Sequence, residues 1–121
     1  LEGRAPVDLR VNLLRGGPAD ARATLPDAVP GRWASTCLRL GPGADVSRDP
    51  LYLSGRVEIQ DEAAQVAVLA CGVLPGMQVI DLCAGGGGKT LALAALMGNT
   101  GQIFAHDADA RRLARLRPRV Q

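Results

Sequence analysis

The first hydrophobic pattern in the chain is an alternation of apolar and polar positions. It runs from Val7 to Leu13, and its polar positions are Asp8, Arg10 and Asn12. Successive side chains of a strand point to opposite faces, so this period of two predicts a strand with one buried and one solvated face.

Further short elements follow up to residue 59. The pattern predicts a helix over 19–25, a strand over 35–40, a loop over 41–49, and extended segments over 51–53 and 56–59. Glycine and proline separate these segments, as is typical of turns. Residues 1–59 are therefore predicted to form part of a small α/β module.

The pattern changes to a helical period at Gln60. Acidic residues in a first helical turn are favourable, and Asp61 and Glu62 precede an apolar series at helical spacing. That series is Ala63, Val66, Ala67 and Ala70, and Gly72 is the predicted end of the helix. Residues 60–121 are predicted to begin a second domain.

From residue 77 to residue 117 the order strand, glycine-rich loop, helix, strand, helix is predicted. The strands are placed at 79–82 and 103–105, and the helices at 89–97 and 109–117. Short apolar runs bounded by turns are typical of buried parallel strands. This part of the chain is therefore predicted to be a parallel βαβ unit, and the fold class is α/β.

Composition adds limits to this picture. The 121 residues are 47% hydrophobic, 21% charged and only 2% aromatic, with a formal net charge of +2. So few aromatic residues argue against a platform on which nucleic-acid bases stack. The small net charge does not identify a nucleic-acid partner.

The three cysteines do not predict a metal site. They form no C-x-x-C pair, and the chain has a single histidine, so no structural zinc site is predicted. Cys37 and Cys71 are interpreted as small buried hydrophobic residues. Without an export signal or a long apolar run, the sequence predicts a cytoplasmic protein that does not span a membrane.

The chemically most informative segment runs from Asp81 to Thr90, D-L-C-A-G-G-G-G-K-T, between a predicted strand and a predicted helix. Successive glycines let a ligand approach the backbone, and the amides at a helix start face outward. Asp107 follows the next strand, where a carboxylate can bind both hydroxyls of a ribose. These features predict a nucleoside site, with a tight turn and an ordinary helix cap as the alternative.

A second alternative is a phosphate-binding loop of the type G-x-x-x-x-G-K-[ST]. Gly88, Lys89 and Thr90 fit its end, but Cys83 occupies the position of its first glycine. Such a protein would use the lysine on the phosphates and the threonine on magnesium.

Three segments resemble one family. The segment from Asp81 to Thr90 is similar to D-x-C-A-A-P-G-G-K-T, the signature of the bacterial Sun/Fmu and eukaryotic nucleolar RNA 5-methylcytosine methyltransferases. Residues 60–65, Q-D-E-A-A-Q, resemble the Q-D-E-A-S-Q segment of that family, and residues 6–12 resemble its P-x-x-L-R-V-N strand.

The resemblance implies a partial Rossmann-like class I methyltransferase fold that binds S-adenosyl-L-methionine. The implied cofactor-binding residues are Cys83, Ala84, Gly85, Gly86, Gly87, Gly88, Lys89 and Asp107. Asp81 would support the loop, bind the cofactor's ammonium group or act as a structural cap. Lys89 would help to position the loop, or is alternatively an ordinary surface residue. Gly85 and Gly86 replace the family's Ala-Pro. Loss of the proline is expected to make the unbound loop less ordered, at a free-energy cost of about 1 kcal/mol.

The resemblance also implies the chemistry. In the family a cysteine thiolate adds to C6 of cytosine, C5 then attacks the methyl group, and a second cysteine assists release of the C5 proton. Both cysteines are expected beyond Gln121, so the 121-residue chain is expected to be inactive alone. RNA, specifically ribosomal RNA, is the implied partner, and the resemblance implies that residues 1–59 are part of an N-terminal RNA-binding module. The different-class alternative is a non-catalytic RNA-binding remnant. Five arginines are interpreted as a solvated helix face: Arg111, Arg112, Arg115, Arg117 and Arg119.

Overall fold

The protein is described by a computed structural model, in which residues 3–120 are described. It is a mixed α/β structure that divides into two compact units, one ending at Ala70 and one beginning at Cys71. Contacts therefore group the helix that follows Gln60 with the first unit, although the sequence pattern put a boundary before it. What each predicted domain does remains a prediction.

The first unit is built on a four-stranded antiparallel sheet in the order β2-β3-β1-β4. Its strands are β1 (Val7–Val11), β2 (Val29–Pro30), β3 (Cys37–Leu40) and β4 (Val57–Ile59). Its helices are α1 (Pro18–Thr24), α2 (Pro50–Leu53) and α3 (Glu62–Ala70). The core includes Leu9, Val11, Leu38 and Val57, all fully or nearly fully buried.

The predicted strand at Val7 is confirmed, but its polar face is not solvated. Asp8 and Arg10 are both buried, with 9% and 4% of their surface exposed. Burial of a charged group requires a partner, and each has one on a neighbouring strand. Arg10 donates to Glu58 at 3.1 Å, and Asp8 accepts two hydrogen bonds from Arg39. The period of two identified the strand, but it could not identify these partners.

A network of charged residues connects β1, β3 and the start of α3. The Asp8 carboxylate accepts from Arg39 Nε at 2.6 Å and from the backbone N–H of Glu62 at 3.0 Å. Arg39 also donates to the Glu62 carboxylate at 3.2 Å. The hydrogen bond from Arg39 is the main reason that the pKa of Asp8 lies below its ordinary value. Asp8 therefore both fixes the strand pair and binds the first turn of the helix.

The Glu62 carboxylate also fixes the loop between β2 and β3. Its Oε1 accepts from the backbone N–H groups of Trp33 (2.6 Å) and Ala34 (3.0 Å), and these bonds lower its pKa. A Cβ atom on Gly31 would overlap Cys37 and the same carboxylate oxygen. The loop is therefore held closely against a buried carboxylate.

One prediction for the first unit is wrong, and one burial pattern differs from the apolar series in the sequence. Residues 51–53 are helical rather than extended, because the side chain of Asp49 accepts from Leu51 N at 2.8 Å and Pro50 suits a first helical position. The predicted helix is present as α3, and its buried residues are Glu62, Gln65 and Val68 rather than the apolar series that identified it. Polar partners decide that face, since Gln65 accepts from the hydroxyl of Thr36 at 2.8 Å.

The second unit contains the predicted parallel βαβ arrangement. Strand β5 (Gln78–Asp81), helix α4 (Gly88–Leu96) and strand β6 (Gln102–Ala105) follow one another, and the two strands pair in parallel. Helix α5 (Ala110–Ala114) comes next, and a 3-10 helix covers Arg117–Arg119. The last predicted helix is therefore shorter than expected and gives way to a tighter turn that contains Pro118.

The strands of this second sheet are not buried in the described chain. Ile80 in β5 and Phe104 in β6 are 65% and 41% exposed, and Leu82, directly after β5, is 72% exposed. A parallel strand becomes buried when helices cover both faces and other strands flank it. Among the described residues this sheet has two strands, so the predicted burial is wrong for this chain. In the described part of the chain, no helix has the length and apolarity needed to cross a membrane.

The charged network predicts a loss of stability in acid. The folded-state pKa values of Asp8 and Glu62 lie below their ordinary values of 3.8 and 4.5, so the unfolded chain takes up protons first. Their contribution is complete above about pH 5 and falls as the pH drops through the folded-state pKa values. Urea unfolding at pH 7 and at pH 3 measures this.

An Asp8→Asn variant tests the network itself. We expect it to lower the free energy of unfolding by about 1–3 kcal/mol at pH 7 and to reduce the pH dependence. Asp27→Asn is the matched control, because Asp27 is exposed in the same unit. Equal stabilities of the two variants at pH 7 would contradict the role assigned to Asp8.

Candidate functional site

The glycine loop, residues 82–87, connects the end of β5 to the start of α4. Its first anchor is Ala84, a buried residue whose N–H donates to the His106 carbonyl at 2.8 Å. The N–H of Gly87 donates back to the Ala84 carbonyl, also at 2.8 Å, which closes a turn. The loop is therefore bound to the chain that follows β6, at the edge where both parallel strands end.

Asp107 contacts the loop directly. Its Oδ2 accepts from Gly85 N at 2.8 Å, and its Oδ1 accepts from Asp109 N at 2.8 Å. These two bonds are the main reason that the pKa of Asp107 lies below its ordinary value, and Arg112 adds a favourable charge. Asp107 is thus a carboxylate at neutral pH, only partly buried, beside the glycine loop.

Two loop positions require glycine for different reasons. Gly85 and Gly87 have φ values of +55° and +88°, in the left-handed region that other residues adopt at a cost. Gly87 also precedes the first residue of α4, and a Cβ atom there would overlap Leu116 Cδ1. Gly86, by contrast, has open space at its Cβ position.

Asp81, the last residue of β5, binds the glycine loop and the first turn of α4. Its Oδ2 accepts from the Thr90 hydroxyl at 2.7 Å, and its Oδ1 accepts from Cys83 N at 3.3 Å. These hydrogen bonds give Asp81 a role in supporting the loop and the first turn of α4, and binding of the cofactor's ammonium group remains a prediction. They also bind the Thr90 hydroxyl to a carboxylate.

The remaining predicted site residues lie on the same segment. Cys83 and Lys89 are exposed, Lys89 in the first turn of α4, whereas Gly86 and Gly88 are partly exposed. The structure brings Gly85 and Asp107 into direct contact. The roles of all eight predicted residues in cofactor binding remain predictions.

The sequence pattern missed three residues beside the loop. The guanidinium of Arg112 lies next to Gly85, Leu116 is buried against Gly87, and Arg119 donates a hydrogen bond to the Gly86 carbonyl. All five arginines are exposed, as interpreted, but Arg112 and Arg119 also contact the glycine loop, and the 3-10 helix rather than α5 carries Arg117 and Arg119. A signal was present in Pro118, which interrupts the helical pattern and predicts a change of direction there.

The cysteines differ in their surroundings. Cys37 is buried, and burial is the main reason that its pKa is raised to about 11, so it is a neutral thiol at neutral pH. Cys71 is exposed, so its interpretation as a buried residue is wrong, whereas that of Cys37 is confirmed.

One group of buried residues has the spacing of metal ligands. Asp8, Cys37 and Glu62 offer ligand atoms within 4.8 Å of one another. The carboxylate oxygens in this group already accept hydrogen bonds from Arg39 and from backbone amides. These bonds explain how the acidic pair is stabilised without a cation.

A glycine loop between a strand and a helix, with a carboxylate after the adjacent parallel strand, is an arrangement typical of nucleoside-binding α/β proteins. Comparison with known proteins is more specific. A family model described as 16S rRNA methyltransferase RsmB/F matches residues 71–121.

Curated relatives agree with this match. The ribosomal RNA small subunit methyltransferase B of Xanthomonas campestris is 38% identical over 123 residues, covering 97% of this chain and 28% of that protein. The human 28S rRNA (cytosine(4447)-C(5))-methyltransferase is 35% identical over 114 residues, covering 89% of this chain and 14% of that protein. The chain thus spans well under a third of the length of either relative.

Solved structures give the same result. A methyltransferase homolog protein from Pyrococcus horikoshii matches with a TM-score of 0.84 at 31% identity, covering 98% of this chain and 41% of that one. NSun6 from the same organism matches with a TM-score of 0.87 at 14% identity, covering 98% of this chain and 55% of that one, which shows the fold alone. The chain belongs to the family of RsmB/F and related rRNA cytosine-C5 methyltransferases, of which it represents a segment.

The geometry of Gly87 predicts a selective effect of a single methyl group. Gly87→Ala combines a left-handed backbone with overlap against Leu116, so we expect it to lower the free energy of unfolding by about 1–3 kcal/mol. Gly86→Ala, the matched control, places its methyl group in open space and should change that energy by about 0.5 kcal/mol or less. Urea unfolding of both variants is the measurement, and equal losses would contradict the described loop geometry.

Proposed function

We propose that this chain supplies the S-adenosylmethionine-binding segment of an RNA cytosine-C5 methyltransferase, with ribosomal RNA as the substrate class. In this proposal the second unit is the first part of a Rossmann-like class I methyltransferase domain. The observation that carries the proposal is the hydrogen bond between Asp107 and Gly85 at the carboxyl ends of β5 and β6. Family membership supplies the reaction class.

Asp107 has capacity to bind a ribose. Each carboxylate oxygen has two lone pairs, and in the described structure each accepts one backbone hydrogen bond. A second acceptor site therefore remains on each oxygen for the 2′- and 3′-hydroxyls. The lowered pKa of Asp107 keeps the group ionised and hence a pure acceptor at neutral pH.

The loop would hold the rest of the cofactor. Gly86 and Gly88 are partly exposed and without side chains, so a ligand can approach their backbone closely. The outward-facing amides at the start of α4 favour a carboxylate such as that of the methionine moiety. When bound, S-adenosylmethionine supplies an electrophilic methyl group on a sulfonium.

Arg112 is an additional candidate contact. Its guanidinium lies beside Gly85 and contributes to the low pKa of Asp107. In that position it can bind a polar group of the cofactor while Asp107 binds the ribose. This residue was not among the sequence-predicted site residues.

The chain's part in the reaction is binding and orientation of the methyl donor. Cys37 is buried as a neutral thiol, and Cys83 lies in the glycine loop, so neither has the position of a nucleophile in this proposal. RNA is the proposed substrate because the relatives described above are rRNA methyltransferases. The exposed arginines Arg111, Arg115 and Arg117 remain a solvated surface in this account.

A phosphate-binding loop is the less well supported function. Such a site needs a threonine hydroxyl free to bind magnesium, but the Thr90 hydroxyl donates to Asp81 at 2.7 Å. Cys83, rather than glycine, also stands at the first position of that motif.

Calorimetric titration with S-adenosylhomocysteine tests the proposed function. We expect the purified chain to bind it, and Asp107→Asn to weaken binding about 10- to 100-fold, because charge-assisted hydrogen bonds to the ribose are lost. Asp109→Asn is the matched control: it removes a nearby charge, but asparagine also caps a helix well.

Circular dichroism establishes that each variant is folded. Binding of ATP–magnesium in place of S-adenosylhomocysteine would favour the phosphate-binding alternative. A folded chain that binds neither ligand would contradict both and favour a remnant without a cofactor site.

A further inference from the structure

The segment that follows α5 packs against the glycine loop through two side chains. Leu116 is only 6% exposed, and its Cδ1 occupies the space beside Gly87 that a Cβ atom would need. Arg119 donates from Nη1 to the carbonyl oxygen of Gly86. We refer to Leu116 and Arg119 together as the clasp.

The backbone of the clasp is itself ordered. The 3-10 helix Arg117–Arg119 places Pro118 in its first turn, and Arg119 N donates to the Leu116 carbonyl at 2.9 Å. Proline fixes φ and so reduces the number of conformations open to this turn. The two clasp side chains are therefore presented to the loop from a restrained piece of backbone.

The loop itself has little intrinsic order. Residues 85–88 are four consecutive glycines, and glycine loses more conformational entropy on ordering than any other residue. Within residues 3–120, Arg119 is the donor found for the Gly86 carbonyl, because the Asp107 hydrogen bond acts on Gly85 and the turn closes at Gly87. The clasp acts at the two positions that follow Gly85.

We infer that Leu116 and Arg119 are positioning residues that order the glycine loop before the cofactor binds. This inference rests on the proposed function for its ligand. Preorganising a loop raises affinity by removing an entropy cost from the binding step. The clasp replaces, from outside the loop, a restraint that the loop's own residues do not provide.

Loop order can be measured without any ligand. In the unmodified chain we expect ¹⁵N order parameters of about 0.85 for the Gly87 and Gly88 amides. In Arg119→Ala we expect them to fall to about 0.6. Arg117→Ala is the matched control, because it removes an exposed arginine from the same turn. Unchanged order parameters in Arg119→Ala would overturn the inference.

A restraint introduced within the loop should compensate for loss of the clasp. Gly86 has a φ outside the left-handed region and open space at Cβ, and no hydrogen bond of its N–H is recorded within residues 3–120. Gly86→Pro combined with Arg119→Ala is therefore expected to restore the order of Gly87 and Gly88. A double variant as mobile as Arg119→Ala would contradict this compensation.

Cofactor affinity provides the functional measurement. We expect Arg119→Ala to weaken S-adenosylhomocysteine binding about 3- to 10-fold, Arg119→Lys to retain most of the affinity, and the double variant with Gly86→Pro to recover it. Leu116→Ala should act in the same direction, with circular dichroism as the check on folding.

The two measurements separate the inference from the proposed function. If the unmodified chain does not bind S-adenosylhomocysteine, the proposed function fails, and the order parameters alone decide whether the clasp orders the loop. If the chain binds, and Arg119→Ala loosens the loop without weakening binding, the positioning role is overturned.

Discussion

A carboxylate that accepts hydrogen bonds from backbone amides shapes the central loop of each unit. In the first unit, Glu62 accepts from the amides of Trp33 and Ala34; in the second, Asp107 accepts from those of Gly85 and Asp109. Amides that point at one carboxylate fix the local backbone and keep the acid ionised, which is why both pKa values are lowered. In the second unit the same interaction creates the candidate site, since it places a charged acceptor beside a loop without side chains.

The second unit combines this fixed acceptor with a loop of low intrinsic order. Its four glycines allow a ligand close to the backbone, and the same property makes them costly to order. Order comes from residues outside the loop: Asp81 from the strand, Asp107 from the end of β6, and Leu116 and Arg119 from the segment beyond α5. Access and order are thus provided by different parts of the chain.

Local patterns were sufficient to predict most of the elements and the position of the glycine loop between β5 and α4. The glycine loop, the parallel strands and Asp107 at the end of β6 follow from spacing, because a strand, a turn and a helix each have a period readable in sequence. The family resemblance, based on the segment from Asp81 to Thr90 and two shorter segments, is confirmed by the comparisons.

The errors arise where contacts between distant residues decide the outcome. Helix α3 buries Glu62 and Gln65 because their hydrogen-bond partners, Ala34 and Thr36, lie in the loop before β3. These partners are about 30 positions away in sequence. The clasp residues were missed because their contacts with the loop join residues about 30 positions apart in sequence. Burial was predicted for the strands of the second sheet because apolar runs are typical of buried strands. Burial also requires neighbouring strands and covering helices, and their number cannot be deduced from the run itself.

Mapping the ligand by NMR tests the central claim most directly. The account predicts that S-adenosylhomocysteine, added to the ¹⁵N-labelled chain, shifts the amide signals of Gly85 to Gly88 and of Asp107 in a saturable way. The signals of core residues Leu9 and Val11 in the first unit should stay unchanged. Saturable shifts confined to other residues, or no shifts in a folded chain, would contradict the assignment of this loop as the cofactor site.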